Sequence, residues 1–309
     1  MNTNSPKVSI IILNWNGLTD TIECLDSLRK ISYPNYKVVL VDNASEGNDV
    51  RTLRDNCGDY IHIIRNDQNY GFAKGNNVGI RFALENGTDY VFLLNNDTTV
   101  DPAFLTALIG VAVTDDRIGI TCPVIYWYHH PDQIWFSGER RVDLFRGTIT
   151  PDRPMDASQP VVYTEFASGA AMLIRAETIR RVGFLPEDYP FGVEDIDCSL
   201  RVLREGLKIA VVAKAKVWHK GSGSAGRIAA VRTSYEYRGW QIMRRKYLST
   251  GGYLLATVCG MGWSGMQFMA LLFGYVRQGD CQGLRTLFRK AGQALKGAIQ
   301  GSFSKAHRQ

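Results

Sequence analysis

Apolar and polar residues alternate in blocks over the first 120 positions. Val8–Leu13 (VSIIIL) is a short, almost unbroken apolar run, the pattern of a strand buried on both faces. Lys37–Val41, Ile61–Ile64 and Tyr90–Leu94 repeat it. Between these runs the spacing becomes helical. Ile22, Leu25 and Leu28 share a face within Leu18–Lys30, and Phe72–Glu85 is helical and closed by Asn86-Gly87. Asp101-Pro102 opens another helix, with proline in its first turn. Strands alternating with helices predict a doubly wound, parallel α/β sheet.

The pattern changes after residue 117. Ile118–Thr164 is rich in Trp, Tyr, Pro and Gly without helical period, so strands and loops are expected, with a hairpin around Trp135–Ile149. Trp127, Tyr128, Trp135 and Phe136 are expected in the core, because aromatic residues fill cores more often than they line sugar sites. Ala170–Ile174 predicts a strand, Ala176–Val182 a short helix stopped by Gly183, and Leu207–Ala213 a further strand. Glu194–Glu205 predicts a helix with Ile196, Leu200 and Leu203 inward and Gly206 at its C-terminal cap.

Leu248–Val276 lacks charge and reaches the length of a membrane span. Gly260, Gly262, Gly265 and Gln267 interrupt it, and basic clusters flank both ends, so one cluster would have to cross. Interfacial or re-entrant helices are expected instead, with an ordinary buried helix pair as the alternative.

Charge divides the chain at the same place. Residues 1–226 hold 23 Lys+Arg against 28 Asp+Glu, and residues 227–309 hold 13 against two. Two regions are therefore expected: 1–226, and a basic, partly apolar helical extension over 227–309. Such a tail suits an anionic partner, whether membrane surface, phosphate or nucleic acid, or is simply solvated. The cysteines at 24, 57, 122, 198, 259 and 281 form neither a CxxC pair nor a zinc pattern, which points to a reducing compartment. The opening residues MNTNSPK carry no apolar export signal.

Ligands bind open α/β sheets at the carboxyl ends of strands. Here those ends carry Asn14-Trp15-Asn16, Asp42-Asn43 and Asn95-Asn96-Asp97. Any one of them suits a turn; three on one rim point to a site. Their order resembles the family-2 glycosyltransferases of GT-A fold, and the bacterial rhamnosyltransferase subgroup in particular. The resemblance is carried by VSIIILNWN (8–16), VDNAS (41–45), NYGFAKGNNVG (69–79), LLNNDT (93–98), SGAAMLIR (168–175), FGVEDIDCSLR (191–201) and WHKGS (218–222).

The resemblance implies a Rossmann-like mixed sheet flanked by helices, and an inverting sugar transfer from a dTDP- or UDP-sugar, with rhamnose first. The acceptor is a saccharide or lipid-linked saccharide of cell-surface polysaccharide synthesis. A divalent cation, Mg²⁺ or Mn²⁺, would neutralise the departing diphosphate. Its ligands are expected to be Asp97, with Asn95 and His219; an amide in place of the first acid of the usual motif leaves less negative charge. Asn14, Asn16, Asp42, Asn69, Lys74, Asn77 and Asn96 are expected around the donor, with Ser222 on a glycine-rich lid over the diphosphate. Asp195 is expected as general base and Glu194 as its orienting neighbour, while Asp197 and Arg201 fit a structural ion pair.

The expected setting is the cytoplasmic face of a bacterial membrane, reached through residues 227–309, with no nucleic acid involved. Two rivals remain. A sugar-phosphate nucleotidyltransferase would carry a basic, glycine-rich loop after the first strand, where this chain has Asn14-Trp-Asn-Gly17. A nucleic-acid-binding protein would use the basic tail but leave the acidic rim unexplained.

Overall fold

A computed structural model describes residues 5–138, 140–151, 159–190, 192–221, 229–259, 272, 277 and 281–303. The chain divides into two compact units: residues 1–141, 151–187 and 194–226 form one, and residues 142–150, 188–193 and 227–309 the other.

The first unit is built on one sheet. Strands β1 (Val8–Asn14), β2 (Tyr36–Asp42), β3 (Ile61–Arg65) and β4 (Tyr90–Asn95) are parallel, in the order β4-β1-β2-β3. The apolar runs of β1, β2 and β4 are covered on both faces, as the near-continuous hydrophobicity of β1 requires, whereas the edge strand β3 buries only Ile61. Helices α1 (Leu18–Leu28), α2 (Asp49–Cys57) and α3 (Gly71–Glu85) make the crossovers. In α3, Gly75 and Gly79 explain part of the GNNVG motif as packing. A Cβ on Gly75 would come within 2.7 Å of Leu13, and one on Gly79 within 2.5 Å of Ile11. The helix therefore lies closer to β1 than any larger residue permits.

Beyond β4 the sheet becomes mixed, as the resemblance implied. After β5 (Thr98–Val100) and α4 (Phe104–Ala112) come β6 (Ile118–Trp127), β7 (His130–Phe136), β8 (Arg140–Asp143), β9 (Thr148–Pro151), β10 (Val161–Thr164) and β11 (Ala171–Arg175). Helices α5 (Ala176–Val182) and α6 (Glu194–Arg204) precede β12 (Lys208–His219). β11 inserts antiparallel between β4 and β6, and β12 runs parallel to β6. The full order is β10-β12-β6-β11-β4-β1-β2-β3, a mixed sheet. The ends of β1, β2, β4, β6 and β12, and the start of β11, consequently share one rim.

Several sequence expectations shift. Leu207–Ala213 is the first part of a longer strand, because residues 213–215 bulge between Val212 and Lys216 and β12 then continues to His219. Helix α4 starts at Phe104, two residues after Pro102. Helix α2 had no apolar stripe to announce it, since only Leu53 and Cys57 are buried. The expected hairpin is present, at β8–β9. The aromatic cluster is not core: Phe136 is buried, but Trp127 is 37% exposed and Tyr128 and Trp135 are half-buried.

In the second unit, α7 (Ala229–Tyr247) packs along α8 (Cys281–Phe303), and residues 250–259 are helical. Buried Arg244 donates to the carbonyls of Leu144 and Phe145 at 2.9 and 2.7 Å. Leu254, Leu255, Val258, Phe288 and Leu295 are exposed. Most of residues 260–280 lie outside the described residues. Among the described residues no helix is long and apolar enough to cross a membrane.

The four cysteines of the first unit, Cys24, Cys57, Cys122 and Cys198, are buried free thiols. Burial pushes Cys24 up to about 12 and Cys198 up to about 11, so they behave as small apolar residues.

Candidate active site

Asn14 and Asp42 lie side by side at the ends of β1 and β2, both fully buried. Asn14 Nδ2 donates to Asp42 Oδ1 (3.0 Å) and Ser45 Oγ (3.0 Å), and its Oδ1 accepts from Thr21 (2.8 Å). The Ser45 amide donates to Asp42 Oδ2 at 3.1 Å, and Arg65 approaches that oxygen at 3.8 Å. Asn14 is thus a latch that fixes Asp42. Both Asp42 oxygens are engaged and its side chain is fully buried. Asn16 donates its amide to Ser45 Oγ and accepts from Glu46 N at 2.6 Å, with φ at +51°. Ala44 has φ at +59°. Two non-glycine residues in the left-handed region within facing loops mark a rim held against its backbone preference.

The second group expected around the donor divides. Asn69 Oδ1 accepts from Asn43 Nδ2 (2.7 Å) and Gly71 N (2.9 Å), so it shapes the loop before α3. Lys74 is exposed, with Nζ 3.9 Å from the centre of the Tyr70 ring. Asn77 is fully buried and turned elsewhere. It donates to Leu185 O and Glu187 Oε1, both at 2.8 Å, and accepts from Leu185 N at 3.1 Å. Its role in the structure is to clamp the 185–187 loop. Asn96 Nδ2 donates to Thr21 Oγ1 at 2.9 Å, anchoring α1 to the β4–β5 turn.

Asp97 and His219 meet across that turn, with His219 Nε2 3.1 Å from Asp97 Oδ1 and both residues buried. β5 brings them together by pairing Thr98 with His219. His219 Nδ1 has no hydrogen-bond partner among the described residues. Asn95 lies next to them, with Nδ2 3.4 Å from His219 Nε2, so its amide nitrogen rather than its oxygen faces the pair.

Among the described residues no three His, Cys, Asp or Glu side chains gather as a complete metal cage. A carboxylate and an imidazole nevertheless fit a cation that takes its remaining ligands from substrate phosphates and water, the usual arrangement at phosphate sites.

Lys220, which sequence reasoning passed over, ties this region to α1. Its amide donates to Asp97 O at 3.0 Å, and Nζ donates to Asp20 (2.6 Å) and Glu23 (2.5 Å). Tyr128 also hydrogen-bonds Glu23. Burial acts to lower the Lys220 amine, but the two carboxylates outweigh it and its pKa rises. Hydrogen bonds from Lys220 and Tyr128 hold Glu23 below the usual carboxylate range. The available signal was position alone, one residue beyond His219.

Asp195 stands in the first turn of α6. Oδ2 accepts from Gly169 N and Oδ1 from Ile196 N, each at 2.9 Å. A Cβ on Gly169 would lie 3.3 Å from Asp195 and from Phe72, so the turn fits closely around the carboxylate. Ser199 Oγ links Asp195 O to Ala167 N. Burial raises the Asp195 pKa and prevails over the backbone donors that lower it, although part of the residue stays accessible. The same turn reaches β4, because Ala170 O accepts the Asn95 amide at 2.9 Å. Two consecutive residues, Gly169 and Ala170, therefore join Asp195 to the end of β4, two residues before Asp97. Glu194 is buried beside it. Asp197 pairs with Arg201 at 2.8 Å, and Arg201 also donates to the carbonyls of Val182 and Phe184. Ser222 lies outside the described residues.

Comparison with known proteins places the chain in a family. Over 276 residues the chain is 25% identical to the O-antigen biosynthesis protein RfbC of Myxococcus xanthus, an alignment covering 83% of this chain and only 21% of that protein. It is 23% identical to the dTDP-rhamnosyl transferase RfbF of Shigella flexneri, covering 82% of this chain and 80% of that one. The mannosyltransferase PcManGT of Pyrobaculum calidifontis, solved with GDP-Man and Mn²⁺, superposes with a TM-score of 0.61 at 15% identity, over 98% of this chain and 89% of that one. That likeness shows the fold, GT-A. The model of the family described as glycosyl transferase family 2 matches residues 9–179, more than half of the sequence, and the chain belongs to that family.

Proposed function

We propose that the chain is an inverting, metal-dependent glycosyltransferase. It transfers a sugar from a dTDP- or UDP-sugar, rhamnose first, to a saccharide or lipid-linked saccharide in cell-surface polysaccharide synthesis. The observation that carries this reading is the buried Asp97–His219 pair joined through Gly169–Ala170 to the carboxylate of Asp195. The names of RfbC and RfbF support the polysaccharide setting and the rhamnosyl donor.

Asp42, fixed by Asn14 and Ser45, marks the nucleoside end of the rim. Asp97 and His219 would hold Mn²⁺ or Mg²⁺, whose chemistry when bound is to neutralise the charge growing on the diphosphate. Asp195 accepts the proton of the acceptor hydroxyl as its oxygen bonds to the anomeric carbon from the face opposite the diphosphate. The bond from that carbon to the diphosphate breaks, and the nucleoside diphosphate leaves. Burial makes Asp195 a stronger base than an ordinary aspartate, and two N–H donors aim it.

Lysine and arginine on α7 and α8, with the exposed Leu254, Leu255, Val258, Phe288 and Leu295, support peripheral attachment to an anionic membrane face, on the cytoplasmic side. The nucleotidyltransferase reading has no matching feature, since the Asn14–Gly17 loop is bound to Ser45 and Thr21.

The test is a donor panel with Mn²⁺, scored by nucleoside diphosphate release and by proton NMR of the product. Release from a dTDP- or UDP-sugar, with the anomeric configuration of the product opposite to that of the donor, is expected. Retained configuration would remove Asp195 from the role of base.

A further inference from the structure

We infer that Trp127 and Trp135 form a saccharide-binding shelf that seats one sugar ring of the acceptor; the inference rests on the glycosyltransferase reading above. Trp127 is the last residue of β6, in register with His219 on β12. The residue is 37% exposed, and its ring meets that of Trp135 edge to face, with centroids 6.1 Å apart and planes at 66°. Trp135 in turn lies against His219, 4.8 Å between ring centres. The two indoles therefore make an open corner that continues directly from the proposed metal-holding histidine.

The corner is closely backed by the chain. Gly221, at φ +69°, runs so close that a Cβ there would sit 2.8 Å from the Trp127 ring. Tyr126 and Trp218 stack at 6.1 Å on the adjoining residues of β6 and β12. A large aromatic surface left exposed at a strand end adds nothing to the core, and a closely backed one is suited to a ligand with an apolar face. A pyranose has such a face in its axial C–H groups, while its hydroxyls project sideways to water or polar side chains.

Position selects the acceptor over the nucleotide. From β2, which ends in Asp42, to β6 there are four strand steps, through β1, β4 and β11. At ~4.8 Å each, the shelf lies ~19 Å from the proposed nucleoside pocket. Asp195 is attached to the turn that leads into β11, the strand between β4 and β6. A ring on the shelf is therefore beside the proposed base and on the side away from the nucleoside.

The experiment is saturation-transfer NMR on the whole chain with N-acetylglucosamine, methyl α-L-rhamnoside and methyl α-D-mannoside, with Mn²⁺ replaced by Mg²⁺ to avoid paramagnetic broadening. At least one saccharide should receive saturation, strongest on its C–H face. The signal should fall at least fivefold in Trp127→Ala and be partly kept in Trp127→Phe, with melting temperatures measured alongside. In kinetics, Trp127→Ala should raise the acceptor KM about tenfold and shift the partition of donor from transfer toward hydrolysis. Equal saturation in Trp127→Ala, or none in the wild-type protein, overturns the shelf. So does a loss of UDP or dTDP affinity in Trp127→Ala, which would assign the rings to the nucleotide. If the wild-type chain binds no nucleoside diphosphate, the glycosyltransferase reading fails separately, and the saccharide signal still decides the shelf.

Discussion

His219 Nε2 lies 3.1 Å from Asp97 Oδ1, and this contact joins the end of β12 to the turn between β4 and β5. An imidazole beside a carboxylate makes the proposed ligand set less hard than two carboxylates would be. His219→Asn should therefore lower the preference for Mn²⁺ over Mg²⁺. The ratio of nucleoside diphosphate affinities in the two metals, taken by calorimetry, reads this directly. An unchanged ratio would assign His219 a purely structural place.

Asp195→Asn should leave nucleotide binding intact and lower transfer by roughly 10²–10⁴-fold, the usual contribution of a positioned base. The pH profile gives a second measure. Asp195 works only when deprotonated, and burial raises its pKa. The acid limb of kcat/KM should therefore lie above the ordinary aspartate value of about 3.9, with activity falling as pH drops through it. A limb at or below that value would contradict the burial argument.

Lys220→Met leaves Asp20 and Glu23 facing each other without their shared cation. Hydrogen bonds to charged groups contribute about 1.5–3 kcal/mol, and solvent at partly exposed Glu23 trims this to about 1–2 kcal/mol. Glu23 is held low, so its share of stability is present above about pH 4.3 and lost as pH falls through its lowered pKa. Lys220 is held high, so its share is present below about pH 10.4 and lost as pH rises through its raised pKa. Urea unfolding at pH 7 and pH 3 should show the gap between wild type and Lys220→Met narrowing in acid.

Asn77 separates a structural role from a donor contact. Asn77→Ala leaves the N–H and carbonyl of Leu185 without their buried partner, at about 1–3 kcal/mol each way of accounting. Denaturant unfolding should show the loss, whereas the affinity for dTDP or UDP should change less than threefold. A large loss of nucleotide affinity in a variant of wild-type stability would return Asn77 to the donor site.

Much of this molecule was legible in its sequence, for identifiable reasons. The parallel strands announced themselves because burial on both faces demands unbroken apolar runs, as in β1. The polar ends of those runs, Asn14, Asp42, Asn95 and Asp97, were visible because a sheet has no need of them. Side-chain direction was not legible. Asn77 and Asn96 belong to motifs that resemble donor contacts, and only coordinates reveal that Asn77 bonds Leu185 and Glu187 and that Asn96 bonds Thr21. The antiparallel insertion of β11 was hidden because Ala171–Arg175 is as apolar as a parallel strand. Trp127 and Trp135 were read as core because composition cannot tell a buried indole from one held at a rim.

The most direct test of the central claim is calorimetric titration of dTDP and UDP into the wild-type chain and into Asp97→Ala, each with Mn²⁺ and with EDTA. The account predicts binding in the wild type that EDTA weakens at least tenfold, and binding in Asp97→Ala that is weak and indifferent to the metal. Equal affinity in all four conditions would contradict it.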